Sequence, residues 1–482
     1  MTPADLSALI AGSNGAIIDG GGQTVTFATK FTFFADADLR NFKFAFPFDG
    51  VGMNPRSVVG AACAPNSGLP RGFVQIAFDT VPGFIADDML FMKSDDPWAN
   101  TTEIVSQWVR VKSVSPDGLT ITLYAPLDYT FLSNIRLYKT EIKTVKYTSC
   151  KFTGLGAANA QKLLQPESCA VTLQNCEFEK TGMACVELSN CYGVFAANNS
   201  FKFAKNASQA YGMSFLNGCE NILVTNSSGE DLIHLFTFGG VGGINRHGLV
   251  TNSNLIGARK AIVDTHASAD MITFLGVTGS VAPDAISELI MMQGARCKVL
   301  GVNVTNSKGC ISYQPMTRLE NDWCELDGVL VDFNPSTDQP AFFFENLKPA
   351  GSILYVKLSG GGNGPRALVA RSNVAAEIKM LQVDLNFVSS MMSAYIFAGA
   401  SGKFHNIDMR GFYERTNQTA ENILFHATLP GGIGDAVFSG KSVGGTYSLR
   451  NINSTRVRAM DGSQLMGSSI AKTLGPVSMA VT

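Results

Sequence analysis

Hydrophobic and polar residues alternate with a period of two along most of the chain, and Gly, Asn and Ser interrupt the alternation at nearly regular intervals. The stretch "VTLQNCEFEKTGMACVELSNCYGVFAANNSF" shows this pattern. In it, Asn175 and Asn198 precede Phe178 and Phe201 by three positions each. A period of two is typical of β-strands, and Asn, Gly and Ser favour tight turns and left-handed backbone. The pattern predicts that successive phrases form successive turns of one coil.

We call the recurring small or polar residue the anchor of each coil. Repeats of this length are typical of stacked architectures, in which parallel strands lie about 4.8 Å apart. We therefore predict an all-β, right-handed parallel β-helix of about 25 residues per coil, with Phe152, Phe178 and Phe201 stacked inside. The anchors, spaced 23 to 28 residues apart, are Ser149, Asn175, Asn198, Asn226, Asn252, Gly276 and Gly301, with a weaker continuation from Gly328.

The repeat divides the chain into four predicted segments. Residues 1–49 are expected to form an N-terminal cap with the first coils, and residues 141–445 the main coil stack. Residues 50–140 break the repeat with Pro-containing loops and short alternating runs, which indicate an inserted antiparallel β module. Residues 446–482 contain few apolar runs and are expected to cap the stack or to support a trimer.

Composition narrows the class of protein. Apolar residues make up 45% of the chain and charged residues 16%, with a net charge of −2, so a large core is expected and nucleic acid is not an expected partner. The ten cysteines form no CxxC pair, which favours buried free thiols, and we predict no metal or other cofactor. No apolar run approaches the roughly 18 residues of a membrane span, and the N-terminus lacks the features of a secretory signal. We therefore expect no membrane insertion and folding in a cytoplasm.

Candidate chemistry lies on one ladder of aligned strand phrases. The fourth position of successive phrases reads Glu187, Ser214, Asp264, Glu288 and Ser312. The alternation predicts that Asp264 and His266 face outward, and that Asp264 and Glu288 occupy neighbouring coils roughly 5 Å apart at the backbone. Two carboxylates at that distance perturb each other's pKa, so that one stays protonated as an acid.

Other polar residues surround this predicted pair in the sequence. Glu230 and Asp231 are the alternative catalytic carboxylates. An outward carboxylate is commonly a solvated surface group and a single histidine is commonly structural, and the sequence leaves these alternatives open. The candidate substrate-binding residues are His266, His234, Arg246, His247, Arg259 and Tyr211.

Three features together resemble phage tailspikes, the pectate-lyase-like β-helix proteins that bind or cut bacterial surface polysaccharide. They are "IIDGGGQTVTF" as an opening coil, the inserted "GFIADDMLFMKS … VRVKSVSPDGLTITLYAPL", and the Asn-rich coils that follow. The resemblance covers residues 15–445. It implies a homotrimer on a virion tail, in contact with tail or baseplate proteins, but it transfers no catalytic residue by position.

The resemblance and the carboxylate pair together predict an endo-acting glycoside hydrolase that depolymerises a capsule, exopolysaccharide or O-antigen. Three alternatives stay open. A polysaccharide lyase would favour Tyr, His or basic groups over a carboxylate pair. A receptor-binding fibre would bind the glycan without cutting it, and a virion structural protein would bind no glycan.

Overall fold

A computed structural model describes residues 1–98, 102–157, 159–282 and 290–307, and beyond these mainly the backbone of further strands. One helix, α1 (Pro3–Ser13), opens the chain. Its N-cap is Thr2, whose side chain and backbone exchange hydrogen bonds with Asp5, and Leu6 and Ile10 are its buried residues. The described elements after α1 are all β-strands.

The chain divides into two compact units. The first comprises Met1–Val250 with Ala267–Asp270, and the second comprises Thr251–His266 with Met271–Thr482. The first unit opens with short strands that pair in parallel, so that Ile18 lies beside Leu39 and Val25 beside Phe44. These strands are β1 (Ile17–Asp19), β2 (Thr24–Thr26), β3 (Phe31–Phe33), β4 (Ala37–Arg40), β5 (Lys43–Ala45) and β6 (Val51–Pro55).

A six-stranded antiparallel sheet interrupts the coils, as predicted. Its strands lie in the order β7, β12, β9, β10, β11, β8. The segment predicted for this module, 50–140, also includes β6, which pairs in parallel with the coil strands on either side of it. The module strands are β7 (Val58–Cys63), β8 (Gln75–Ala77), β9 (Met89–Pro97), β10 (Ile104–Val114), β11 (Thr120–Leu123) and β12 (Arg136–Glu141).

The coils of the first unit resume after the module with parallel neighbours in matching register. Phe152 pairs with Phe178, which pairs with Phe201. The strands are β13 (Thr144–Thr148), β14 (Lys151–Thr153), β15 (Lys162–Leu164), β16 (Ala170–Gln174), β17 (Glu177–Glu179), β18 (Ala184–Ser189), β19 (Tyr192–Ala197), β20 (Ser200–Lys202), β21 (Tyr211–Leu216), β22 (Glu220–Thr225), β23 (Ser228–Glu230), β24 (His234–Gly239) and β25 (Asn245–Thr251).

Each anchor turns the chain through left-handed backbone. The φ angles of the eight anchors from Ser149 to Gly328 lie between 49° and 63°, a region that Asn and Gly enter at low cost. The backbone N–H of an anchor then donates a hydrogen bond to a carbonyl of the next coil along the chain. Asn175 donates to the Ala197 carbonyl at 3.0 Å, and Asn198 donates to the Thr225 carbonyl at 3.1 Å. The repeated phrase is therefore a repeated corner, as the sequence predicted.

The interior of the first unit holds stacks of like residues. The Phe152 and Phe178 rings stack at 4.5 Å and the Phe178 and Phe201 rings at 5.2 Å, each pair within 13° of parallel. Cys150 and Cys176 are buried beside them as free thiols. Burial raises the pKa of the Cys169 thiol to about 12, which keeps this neighbouring cysteine protonated and unreactive. Both the phenylalanine stack and the buried thiols were predicted.

The second unit is also a parallel β-solenoid. Asn252, Gly276, Gly301 and Gly328 are its anchors. Its strands are β26 (Asn254–Ala258), β27 (Val263–Thr265), β28 (Ala269–Leu275), β29 (Thr278–Val281), β30 (Ile290–Met292), β31 (Lys298–Leu300), β32 (Asn303–Ser307), β33 (Ile311–Tyr313), β34 (Trp323–Phe333), β35 (Phe342–Phe344), β36 (Ser352–Gly362), β37 (Leu368–Ser372), β38 (Glu377–Ile378), β39 (Leu381–Ser389), β40 (Ala394–Ala398), β41 (Lys403–Arg415), β42 (Glu421–Ala427), β43 (Ile433–Val443), β44 (Thr446–Arg450), β45 (Arg456–Ala459), β46 (Gln464–Met466) and β47 (Ile470–Thr473).

The predicted fold class is confirmed: an all-β chain of parallel coils with an antiparallel module. The four predicted segment boundaries stay predictions. In the part of the chain that the structure describes, no helix is long and apolar enough to cross a membrane.

Candidate functional site

Asp264 and His266 form a carboxylate–imidazole pair on β27. Asp264 Oδ2 lies 3.2 Å from His266 Nε2, and the Asp264 side chain is fully buried while that of His266 is 39% exposed. Between them, Thr265 Oγ1 accepts hydrogen bonds from the backbone N–H groups of Gln293 (3.2 Å) and Gly294 (3.4 Å). A buried carboxylate beside a half-exposed imidazole orients the ring, an arrangement used in acid–base catalysis.

The strand alignment predicted around Asp264 differs from the register in the structure. Glu187 does lie beside Ser214, as expected, whereas the partner of Asp264 on β30 is Met291. Glu288 itself falls in residues 283–289, outside the described residues. The register differs because β30 is an uninterrupted apolar run, Ile290–Met292, in which every residue is buried. A strand buried on both faces carries no alternation by which the sequence could fix its register.

The predicted exposure of Asp264 is wrong for the same reason. All three residues of β27 are buried, so the carboxylate lies within the packed wall and His266, which follows the strand, reaches solvent. The carboxylate therefore contacts the imidazole from within the wall.

Glu230 and Asp231 lie in the first unit, each in a surface ion pair. Glu230 lies 3.5 Å from Lys202 Nζ, and Asp231 lies 3.4 Å from Lys205 Nζ. All four side chains are between 39% and 45% exposed. Exposed pairs of this kind contribute about 0–1 kcal/mol to stability.

Tyr211 and His234 are brought together, as neighbouring strand partners in the first unit. Their rings stack at 5.7 Å and within 10° of parallel, with His234 buried and Tyr211 half-buried. Arg259, in the second unit, is half-buried. These three candidate substrate-binding residues stay predictions.

Arg246 and His247 converge on Glu220, a residue that sequence reasoning missed. Arg246 Nη2 donates to Glu220 Oε1 at 2.8 Å, and Arg246 Nε lies 2.7 Å from Oε2. His247 Nδ1 lies 3.5 Å from Oε1, and the backbone N–H of Trp108 donates to Oε2 at 3.2 Å. Arg246 also pairs with Asp128 of the antiparallel module. No local signal could have found this cluster, because Asp128 and Arg246 are 118 residues apart in the sequence.

The Glu220 carboxyl is held ionised in a buried place. Burial by itself raises the pKa of Glu220, but the charge of Arg246 and hydrogen bonds from His247 and Arg246 outweigh burial and lower it. The same pairing raises the pKa of Arg246 despite its burial. Tyr129 of the module adds its ring beneath the guanidinium, 5.5 Å from the ring centre. These contacts fasten the module to the coils of the first unit.

Two buried tryptophans complete that attachment. The Trp98 indole donates to the Ala267 carbonyl at 2.6 Å, and the Trp108 indole donates to the Gly218 carbonyl at 3.0 Å. Both side chains are at most 3% exposed, so they pack and do not present a platform for sugars. Among the described residues, no three His, Cys, Asp or Glu side chains converge in a group that suits a metal ion.

Comparison with known proteins supports the fold. No protein-family model matches the chain, and no curated protein matches it by sequence. The tailspike protein gp49 from Pseudomonas phage LKA1 is similar over 99% of this chain and 77% of its own, with 15% identity and a TM-score of 0.55. The gp61 tailspike of Pseudomonas phage phi297 matches over 90% of this chain and 71% of its own, at 14% identity and a TM-score of 0.48.

A third similar structure is the gp54 tailspike of Acinetobacter baumannii bacteriophage AP22 in complex with A. baumannii capsular saccharide. It matches over 89% of this chain and 72% of its own, at 13% identity and a TM-score of 0.47. The similarity to the LKA1 tailspike shows that the chain has the fold of a phage tailspike.

Proposed function

We propose that this chain binds and depolymerises a bacterial surface polysaccharide. The tailspike fold supports the class of ligand, since the chain matches the LKA1 tailspike along 99% of its length. The observation that carries cleavage is the pair of Asp264 and His266, in which a buried carboxylate lies 3.2 Å from a half-exposed imidazole. Such a pair supplies a positioned acid–base group, which typically accelerates proton transfer by about 10²–10⁴-fold.

The reaction that this pair favours is β-elimination next to a uronate carboxyl group. The His266 imidazole takes the proton from the ring carbon beside the carboxyl, and the C–H electrons form a double bond as the bond to the glycosidic oxygen breaks. The departing oxygen takes a proton from solvent. Asp264 positions the ring and stabilises the imidazolium that forms. Elimination was an alternative in the sequence analysis, and the contact between Asp264 and His266 supports it because an imidazole is a suitable base for this step.

Hydrolysis by paired carboxylates requires two carboxyl groups about 5–9.5 Å apart across the scissile bond. The strand partner of Asp264 on β30 is Met291, which supplies no second carboxyl group at that register position. Hydrolysis is therefore an outcome of the test below and not the proposal.

The test is a screen of purified capsular polysaccharides and lipopolysaccharides, followed by mass spectrometry and ultraviolet absorbance of the products. We expect fragments with an unsaturated terminal sugar, which absorbs in the ultraviolet. Fragments that are one water molecule heavier and lack this absorbance would replace elimination with hydrolysis. Binding without fragments would indicate a receptor-binding fibre, and neither binding nor cleavage would indicate a virion structural protein.

We propose further that the protein acts outside the host cell on a virion tail, as a homotrimer attached to tail or baseplate proteins. The tailspike fold supports this assembly. Light scattering at micromolar concentration tests it, and a persistent monomer of 51.4 kDa would contradict the trimer.

A further inference from the structure

A shallow depression of about 210 Å³ lies on the wall of the second unit, and neither Asp264 nor His266 lines it. Three parallel strands, β26, β29 and β32, form it. Its lining residues are Asn254, Ile256, Thr278, Gly279, Ser280, Asn303 and Thr305, and none of the seven carries a charge.

The coil repeat itself builds the lining in two columns. The second residue after each anchor gives a column of Asn254, Thr278 and Asn303, which are direct strand partners. A second column, two residues further along β29 and β32, pairs Ser280 with Thr305. Parallel strands hold neighbouring members of a column about 4.8 Å apart.

A β-bulge shapes one rim of the depression. The register of β26 against β29 shifts between Leu255 and Ala258, and Gly257 takes a φ of 65° there. Bulges re-aim side chains, and at this one the Ile256 side chain is 56% exposed. The depression therefore combines hydroxyl and amide groups with one aliphatic surface, which suits the C–H face of a sugar.

Hydrogen bonds among the lining residues orient their polar groups and leave further donors and acceptors for a ligand. Thr278 donates to the Asn254 side-chain oxygen at 3.0 Å, which leaves the two amide N–H donors of Asn254 pointing elsewhere. Ser280 Oγ accepts from the Gly257 N–H at 3.3 Å and keeps its own hydroxyl proton. Thr305 donates to the Gly279 carbonyl at 3.4 Å and keeps its acceptor lone pairs. Groups fixed in this way lose little entropy when a ligand binds.

The size of the depression and the absence of charge in its lining limit which ligands it can bind. Sites for drug-sized ligands are commonly about 300–1,000 Å³, so this smaller depression suits a single sugar residue. In the first unit, the column at the same position after the anchors contains Lys151 and Glu177, which form an ion pair at 3.4 Å. The second unit has no charge at the corresponding lining positions, Asn254, Thr278 and Asn303. A uronate would find no cation among the seven lining residues.

We propose that this depression is a subsite for a neutral sugar residue, a hexose or an N-acetylhexosamine, of the bound polysaccharide. The proposal rests on the proposed function, because it assumes a glycan ligand. It adds that the repeating unit of that glycan contains a neutral sugar in addition to any uronate at the reacting bond.

Saturation-transfer NMR on the full chain tests the proposal, with methyl glucoside, N-acetylglucosamine and glucuronic acid as probes. We expect signals from one or both neutral sugars and a much weaker signal from glucuronic acid. The double variant Asn254→Ala/Asn303→Ala should lose about tenfold in affinity, as removal of two hydrogen bonds implies. Thr278→Val, which keeps the side-chain shape, should weaken binding less.

Two controls make the result specific. Ser228→Ala changes the equivalent exposed position after the Asn226 anchor in the first unit and should leave sugar binding unchanged. His266→Ala should also bind the neutral sugars normally while it loses cleavage, so that failure of the subsite and failure of the proposed reaction are distinguished. Equal binding by wild type and the double variant, or equal binding of glucuronic acid, would overturn the subsite.

Discussion

Two half-exposed histidines each face a buried carboxylate, one in each unit, and the two pairs differ in origin. His266 lies 3.2 Å from Asp264 two positions earlier on the same segment, so the pair is local. His247 lies 3.5 Å from Glu220, a carboxylate that Arg246 approaches more closely at 2.7 Å. The pair of His247 and Glu220 belongs to a cluster that joins distant parts of the first unit. The pair of His266 and Asp264 is formed by two residues of a single coil.

The Glu220 pair belongs to the attachment of the module to the coils. At Glu220 a guanidinium, an imidazole and the Trp108 N–H share one carboxylate, and Asp128 extends the network into the module. The imidazole is then a minor partner in a packed interface. A histidine close to a carboxylate is therefore only weak evidence of a catalytic site. The other cations and N–H donors that bind the same carboxylate must also be considered.

The largest expected difference between the pairs is in catalysis. His266→Ala should lower turnover on the correct polysaccharide by about 10²–10⁴-fold because it removes the proton acceptor, whereas His247→Ala should change turnover by less than tenfold. Initial rates of fragment release on the glycan found by screening measure both. Equal losses in the two variants would remove the distinction.

Asp264→Asn tests whether that carboxylate positions the imidazole. The variant should lower turnover and shift the pH–rate profile, because the charge that stabilises the imidazolium is lost, while glycan binding stays near that of wild type. An unchanged profile would assign Asp264 a purely structural role.

The next largest effect should fall on stability, and only in the first unit's pair. Arg246→Met leaves Glu220 buried without its main counter-charge, which should lower the free energy of unfolding by about 3–5 kcal/mol. Arg110→Met breaks an exposed pair with Asp87 and should cost about 0–1 kcal/mol. Urea midpoints of the two variants provide the comparison, and similar midpoints would contradict the role of Arg246 in attaching the module.

Acid should weaken the same attachment. The pKa of Glu220 in the folded chain lies below its ordinary value of about 4.3–4.5. The ionised carboxyl therefore adds stability above the unfolded pKa, and this stability is lost as pH falls through the folded pKa. Urea midpoints between about pH 6 and pH 3 should fall less steeply in Glu220→Gln/Arg246→Met than in wild type. Parallel pH curves would assign the acid dependence to other groups.

The smallest effect concerns the anchors, which are mostly Asn in the first unit and mostly Gly in the second. Asn198→Ala places a residue with a Cβ at a φ of 56° and removes the side-chain amide that helps Asn adopt this conformation. The change should lower the free energy of unfolding by about 1–2 kcal/mol. Asn198→Gly should cost less, because glycine enters this region without strain. Thermal unfolding distinguishes the two, and an Asn198→Ala variant as stable as the Gly variant would show that the corner does not need left-handed backbone.

The sequence pattern predicted contacts correctly in segments where the coil repeat is regular. It failed in segments where the repeat is interrupted. The anchors, the stack of Phe152, Phe178 and Phe201, and the alignment of Glu187 with Ser214 all follow from local pattern, and the structure confirms them. The pairing of Asp264 with Met291 was missed because β27 and β30 are buried throughout. Tyr211 and His234 were named separately, and their stacking follows from the strand register.

Local pattern in the sequence is enough to predict that the chain coils, how long each turn is and which residues form the corners. The reason is that a left-handed turn and a period of two are local properties, repeated often enough to be recognised. Which carboxylate meets which cation depends instead on long-range packing in the folded chain. Glu220, Arg246 and Asp128 meet because the module folds back on the coils, and charged groups taken from water must find partners however far apart they lie in the sequence.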